Sequence, residues 1–373
     1  MDVQRSVLIA QPYLPRYRVP LFTHLRDLLA ADGVRLDLVV GRSRRAQAAR
    51  ADETILPWAT RTATVGPLHE RLPVRLKLLP PARVRRADLV VDELAGGCLD
   101  SLLLAGGTRR FAAWGHGYGA VRPSTGVDLA VERWLMRRSA HLFVYTDAGR
   151  VAALAAGVEP ERITVLQNSV DTRALLAAVR DLPETEVEAF RERHDLGTGP
   201  VLAFVGGLDA SKRIELLLSC ATVLHERRPG LRLLVAGDGV QRPMVERFAA
   251  EHPWARHLGR VDDHGKALLA RVGAVLLNPG RVGLVALDSF AMRAPLVTTD
   301  WPHHAPEVAY LSPATSLVVP DDAAALVDAV HDLLDDAPRL ARLRDGCAAA
   351  APHHGIEAMA ARFAAGIRIA LAA

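Results

Sequence analysis

The residues able to do chemistry in this 373-residue chain gather where short apolar runs end in glycine and a helix begins. In NPGRVGLVALDSFAMRAPLVTTD (278–300), the buried run AVLLN stops at Pro279 and Gly280, and LVALDSFAM resumes as a helix. The first amides of a helix have no partner within it, and the positive end of its dipole lies behind them. The amides of Gly283, Leu284 and Val285 are therefore expected to face an anion, with Gly283 permitting close backbone approach. Asp288, one turn deeper, is placed to accept hydrogen bonds from a vicinal diol such as a ribose. FVGGLDASKRIELLL (204–218) reads as strand, tight loop and helix, and sets Lys212 at the loop's end, where an ammonium would meet a phosphate. A solvated surface charge is the plainer reading of a loop lysine. Scarcity argues against it, because Lys77, Lys212 and Lys266 are the only lysines among 46 Lys+Arg residues. VAGDG (235–239) reads as a structural turn, and backbone groups from Gly259 to Val261 in HLGRVDD (257–263) are placed to read the edge of a base.

Holding such residues takes a regular scaffold. SVLIA (6–10), RLDLVV (35–40), ADLVVDE (87–93), RFAAW (110–114), AHLFVY (140–145) and ITVLQN (163–168) are candidate strands, with amphipathic stretches such as VPLFTHLRDLLAADG between them. PVLAFVGG (200–207), LRLLVAGDG (231–239), ARHLGRV (255–261), AVLLNPG (274–280) and APLVTTD (294–300) repeat the alternation. Continuous apolar strands flanked by helices mean parallel sheets covered on both faces. The fold class expected is α/β: two Rossmann-like, doubly wound domains facing a cleft, with ligands beyond the carboxyl ends of the strands. The first domain is expected over 1–170 and the second over 171–352, with a helical stretch (173–196) leading into the latter. A C-terminal helix over 353–373 should pack back on the first domain.

Length fits two domains of about 150–200 residues each. Residues 1–170 carry 24 Lys+Arg against 16 Asp+Glu, a net +8, whereas the remainder is net −4. The arginine clusters GRSRRAQAAR (41–50) and RVRR (83–86) are compatible with a peripheral contact on an anionic membrane face or a lipid-phosphate acceptor, and equally with solvated helix faces. No apolar run reaches the roughly 18 residues of a membrane span. The opening MDVQRSVLIAQPYLP lacks a secretory apolar core, so a cytoplasmic location is expected. Cys98, Cys220 and Cys347 are too scattered for a disulfide framework or a zinc knuckle and are expected as buried apolar residues. No stacking platform or recognition helix suggests nucleic acid. The arginine bias suits a high-GC bacterial genome.

In order along the second half stand GGLDASK, GDG, GRV, NPGRVGLVALDSFAMRAPLV and APE (305–307); the first half adds WGHGYG (114–119), FVYTDAGR (143–150) and VLQNSVD (165–171). In that order and spacing they resemble the family-4 retaining glycosyltransferases of the GT-B fold, over almost the whole chain. The family pattern runs GRL-x3-K, GdG, GxV, PSxxEGFGLVxLEAMAxGxPVV and PE. The resemblance implies a donor site of Gly206, Gly207, Lys212, Arg260, Val261, Arg281, Gly283, Leu284, Val285 and Asp288. Lys212 would contact the donor diphosphate, the 283–285 amides its phosphates, and Asp288 would replace a glutamate on the ribose. His116 matches a histidine that faces the donor sugar, and the implied catalytic set is His116, Lys212 and Asp288. A histidine packed between glycines is the structural alternative for His116.

The departures carry information too. The glutamate that opens the family's last long motif falls on Gly280, and the diphosphate arginine falls on Gly207. PYLPRYR (12–18) replaces the glycine pair common in the first loop, making Tyr13, Arg16, Tyr17 and Arg18 candidate acceptor contacts. Arg281 is placed to restore positive charge near the sugar phosphate, or else projects into solvent. The chain has no Asp-x-Asp triplet, so a metal-bridged diphosphate is not expected, nor any cofactor beyond the nucleotide-sugar substrate. The activity implied is sugar transfer to an acceptor hydroxyl of unknown identity. A nucleotide-sugar epimerase on the same scaffold, or a catalytically weakened nucleotide-binding relative, are the alternatives.

Overall fold

In a computed structural model the described residues are 5–43, 52–66, 74–107, 110–117 and 126–373. The chain divides into two compact units, Met1–Asp171 together with Ile356–Ala373, and Thr172–Gly355. The boundaries lie one and three residues beyond those expected at 170 and 352. The later one moves because the 3-10 turn Ala351–His354 belongs to the second unit, where His354 stacks near Phe290 and Tyr310.

The first unit is built on a seven-stranded sheet. Its strands run in spatial order Thr60–Arg61, Arg35–Val40, Ser6–Gln11, Leu89–Glu93, Phe111–Gly115, His141–Val144 and Ile163–Val165, all parallel. The order reverses between Ser6–Gln11 and Leu89–Glu93. The helix Ile356–Ala372 completes this unit's core, burying Met359, Phe363 and Ile367 at spacings that keep them on one face. The short pair Thr64–Val65 and Leu76–Lys77, antiparallel, was not expected from the sequence.

The second unit has six parallel strands in the order Ala255–Gly259, Arg232–Ala236, Val201–Val205, Val275–Leu277, Leu296–Thr299 and Ser316–Val319. This is the doubly wound 3-2-1-4-5-6 order, and its switch point lies between Val201–Val205 and Val275–Leu277, the position at which such sheets bind ligands. Both central strands are fully apolar and buried, as a sheet covered on two faces requires. Helix Ile214–Arg227 covers one face through Ile214, Leu217, Leu218, Ala221 and Leu224. Two features differ from expectation. The helical stretch 173–196 is two helices, Arg173–Asp181 and Glu184–Arg193, because Pro183 cannot continue the first and caps the second. The strand Ser316–Val319, half-exposed at the sheet edge, shows too little apolar periodicity to stand out in the sequence.

All three cysteines are buried and unpaired. Among the described residues no helix is long and apolar enough to cross a membrane.

Candidate functional site

The two loops that leave the switch-point strands of the second unit lie against each other. After Val205, the chain is held to its neighbour by Gly206 N–H to Ala236 O (3.0 Å) and Leu208 N–H to Asp238 O (3.0 Å). Asp209 then caps the 3-10 turn Ala210–Lys212, accepting from the Ser211 amide at 2.9 Å. Arg213 takes a left-handed conformation (φ 53°) before the helix begins. The turn presses Lys212 onto Gly280. A Cβ at residue 280 would stand 2.4 Å from the Lys212 carbonyl carbon. Tight packing of chain on chain therefore falls at Gly280, whereas at Gly283, read from the sequence as letting the backbone approach an anion, a Cβ would find Ala305 Cβ at an ordinary 3.5 Å. The Arg281 amide fixes the contact by donating to Ser211 O at 2.7 Å.

Lys212 donates from Nζ to Arg281 O, which also accepts from Asn278 Nδ2 at 3.5 Å. An ammonium has three donor hydrogens, so two are left for a ligand. Burial pulls the Lys212 pKa down to about 8, with Asp209 and Glu307 opposing that shift and Arg281 adding to it. The desolvated cation is thus poised to gain from an arriving anion. Arg281 does not project freely into solvent, since its Nε donates to His303 O at 2.9 Å.

The helix Val285–Ala291 begins without a side-chain cap. Its first backbone bonds run from Ala286 to Gly283 O and from Leu287 to Leu284 O, both at 3.0 Å. The amides of Gly283, Leu284 and Val285 donate to no acceptor among the described residues. His304 steadies this loop. Its Nδ1 accepts from the Val282 amide at 3.0 Å, so its Nε2 carries the hydrogen and donates to Thr299 O at 2.7 Å. Burial holds the His304 pKa below the usual histidine value, which keeps that tautomer neutral. Glu307, 4% exposed, lies beneath Gly283.

Asp288 occupies the first turn of the same helix. Its Oδ1 is 3.0 Å from Lys266 Nζ, on the helix Asp263–Val272. That helix follows Gly259–Val261, where Val261 is half-buried and Arg260 is exposed, reaching Asp238 Oδ2 at 3.4 Å. The VAGDG turn is structural, as expected: a Cβ at Gly237 would fall 1.8 Å from Gly206 O. At Gly207 the nearest neighbour of a Cβ would be Asp209 Oδ2, at 3.2 Å.

In the first unit, His116 follows the strand Phe111–Gly115 and is half-buried with its ring 4.7 Å from that of Tyr145. Burial, and then the charge of Arg18, lower its pKa to about 4. Its Nδ1 meets no hydrogen-bond partner among the described residues. The loop PYLPRYR splits. Arg16 and Tyr17 are on the surface, whereas Tyr13 and Arg18 are 6% and 5% exposed. Arg18 lies over the rings of Trp114 and Tyr145, at 5.2 and 5.4 Å, with Met359 Sδ at 3.6 Å. Tyr13 and Arg18, read from the sequence as acceptor contacts, are thus buried, and cation–π packing holds the Arg18 guanidinium there. Of the arginine clusters, residues 44–50 lie outside the described residues, as do Tyr118 and Gly119 of WGHGYG. Within RVRR, Arg85 and Arg86 are exposed and Arg83 pairs with Asp37 at 3.4 Å.

Residues 199–336 match the family model described as Glycosyl transferases group 1, and they include every element of the second-unit site. The match to the group 1 glycosyltransferases thus lies within the second unit. Over 228 residues the chain is 26% identical to an alpha-D-kanosaminyltransferase of Streptomyces kanamyceticus, a match covering 58% of this chain and 57% of the relative. Over 217 residues it is 32% identical to a glycogen synthase of Mycobacterium tuberculosis, covering 56% and 48%. The matches thus span about half the length of these curated relatives. The structure of Anabaena Alr3699/HepE in complex with UDP superposes with a TM-score of 0.68 at 14% identity, covering 98% of this chain and 99% of that one. Two Rossmann-like domains of this kind constitute the GT-B fold.

Three residues of the second-unit site had no role assigned from sequence. Glu307 sits in the APE motif, but its approach to Lys212 is visible only in three dimensions. Nothing in WPHHAPE singles out His304 as the brace of the loop. Lys266 carried one signal, its rarity as a lysine.

Proposed function

We propose that the protein is a retaining, metal-independent glycosyltransferase that moves a sugar from a nucleotide-sugar donor to an acceptor hydroxyl on a glycan, a lipid-linked sugar or a small molecule. One observation carries the reading: a desolvated lysine and three unpaired amides converge at the switch point of the unit that matches the group 1 glycosyltransferases. Departure of a nucleoside diphosphate builds negative charge on the leaving oxygens. Donors already oriented toward that charge lower the barrier without reorganising, and losing one such donor typically costs about 2.7–4 kcal/mol. In this reading Lys212 and the Gly283–Val285 amides hold the diphosphate, while Arg281 adds positive charge nearby. Gly206, Gly207, Arg260 and Val261 border the nucleotide. His116, uncharged at neutral pH, contributes hydrogen bonding rather than charge, and Arg16 and Tyr17 are the surface residues offered to an acceptor. Cationic side chains take the part a divalent ion plays in metal-bridged transferases, so activity should persist in a chelator.

Thermal unfolding with UDP, GDP, ADP and their sugars tests the donor site, because ligand at 100 times its Kd stabilises by about 2.7 kcal/mol. One nucleotide series should raise the Tm, and Lys212→Met should abolish the rise. No response from any of them would overturn the assignment. Nuclear magnetic resonance of the product then reads its anomeric configuration, and a donor-only incubation that interconverts sugars would indicate an epimerase instead. Co-sedimentation with anionic vesicles at low and high salt tests peripheral membrane contact through the basic first half.

A further inference from the structure

In the first unit, the helices Leu99–Gly106 and Gly126–Arg138 link consecutive parallel strands, and right-handed crossovers set both on the same side of the sheet. They lie side by side along their length. A Cβ at Gly96, just before the first, would stand 3.2 Å from Asp128 O in the second, and Arg138 Nε at the end of the second donates to Ala105 O of the first at 3.2 Å. Leu103 and Val127 are 70% and 73% exposed on this pair, and Trp134 is 38% exposed. One exposed leucine is ordinary on a folded surface. Here, however, the only exposed charged side chains on either helix are Arg133, Arg137 and Arg138. The carboxylates are withdrawn, Asp100 being buried against Lys77 and Asp128 and Glu132 half-buried. Beside Leu99–Gly106 lies the helix Pro81–Arg86, since Val84 and Leu104 pack on one cluster, and it adds the exposed Arg85 and Arg86. Among the described residues Arg85, Arg86, Arg133 and Arg137 form no ion pair.

We propose that this face docks on an anionic lipid surface, with Leu103, Val127 and Trp134 entering the interface and the arginines binding lipid phosphates. The inference rests on the peripheral contact proposed above and gives it a place, where the sequence pointed to arginine clusters alone. Charge decides the occupant: five guanidinium groups, with no exposed carboxylate on the three helices, complement a surface that is negative throughout. A stable protein interface covers about 800 Å² on each side around an apolar core, which three such side chains do not supply. A bilayer boundary accepts shallow insertion of a few apolar side chains beside cations, and favours tryptophan among them.

The test floats the whole protein with vesicles of phosphatidylcholine, alone or mixed in equal parts with phosphatidylglycerol, at low and high salt. The wild type should bind only the anionic vesicles and should be released by salt. Each arginine near such a surface is worth about fivefold in affinity, so Arg133→Gln/Arg137→Gln should weaken binding about 25-fold. Leu103→Ser/Val127→Ser should weaken it about 10-fold through lost apolar burial without changing the salt dependence, and both side chains are exposed enough for folding to survive. Arg26→Gln/Arg368→Gln, an equal charge change on the helices Val19–Ala31 and Ile356–Ala372 across the sheet, should leave binding within a few-fold of wild type. Brominated lipid should quench the tryptophan emission of the wild type much more than that of Trp134→Phe. Binding that persists in the arginine and apolar variants, or that falls equally in the control, overturns this face and leaves peripheral contact standing. Equal quenching in Trp134→Phe likewise overturns it. A wild type that ignores anionic vesicles overturns the peripheral contact itself. Dimerisation in ultracentrifugation that Leu103→Ser/Val127→Ser abolishes would make the face a contact between copies of this chain, and the lipid assignment would fall.

Discussion

At the scale of single residues, Gly280 and Lys212 define the site jointly. Because the Lys212 backbone occupies the space a side chain at 280 would need, the missing glutamate is a condition of how this loop packs. Gly280→Glu should therefore not gain function. It should destabilise the protein by about 1–3 kcal/mol, as overpacking does, and raise the donor KM by displacing the lysine, which thermal melts and steady-state kinetics would show together. The Lys212 pKa near 8 gives a second prediction. The ammonium form binds the diphosphate, and the bound anion raises the lysine's pKa. Hence kcat/KM for the donor should fall as pH rises through about 8, whereas kcat holds its plateau to higher pH. Lys212→Arg should remove that alkaline limb, because a guanidinium stays charged. A flat kcat/KM between pH 7 and 10 in the wild type would count against the lysine's role.

Among elements, the small antiparallel pair of the first unit owes its position to a buried charge cluster. Lys77 Nζ is 2.9 Å from Asp92 Oδ1, at the end of Leu89–Glu93, and close to Asp100 Oδ2 on the helix Leu99–Gly106. Burial raises the Asp92 carboxyl above its ordinary range, and Lys77 pulls it back down; Ser101 Oγ donates to its other oxygen at 3.0 Å. Lys77→Met should cost about 3–5 kcal/mol in urea unfolding by stranding two carboxylates, whereas replacing all three charged residues with apolar ones should cost far less. The sequence disclosed scaffolding elements of this kind unevenly. Long apolar strands and the helices at 19–31, 214–227 and 356–372 were readable from periodicity alone. The two-residue strands, and Ser316–Val319 at its edge, were not, since too few residues sample the period. Within the site, Lys212, Asp288 and the helix amides were legible because one strand–loop–helix segment places each of them. Lys266 and His304 were not. Each acts on a residue 22 positions away along the chain, Asp288 and Val282 respectively, and no local pattern encodes such contacts.

For the molecule as a whole, the composition of its first unit matters most. Phe363 packs on Trp114 and Phe143, with ring centroids 4.9 and 4.5 Å apart. Phe363→Ala should destabilise the first unit by about 3–5 kcal/mol, while the nucleotide-induced stabilisation of the second unit should survive, a separation that calorimetry of the two transitions can resolve. Since the helix Ile356–Ala372 is the last part of that core and all of Thr172–Gly355 precedes it, a nascent chain leaving the ribosome presents an incomplete first unit for the entire time the second is being synthesised. The second unit, contiguous in sequence, is free to mature ahead of it. Apolar surface on Trp114, Phe143 and Leu166 must then wait uncovered, which marks this interval as the one in which a chaperone would be needed.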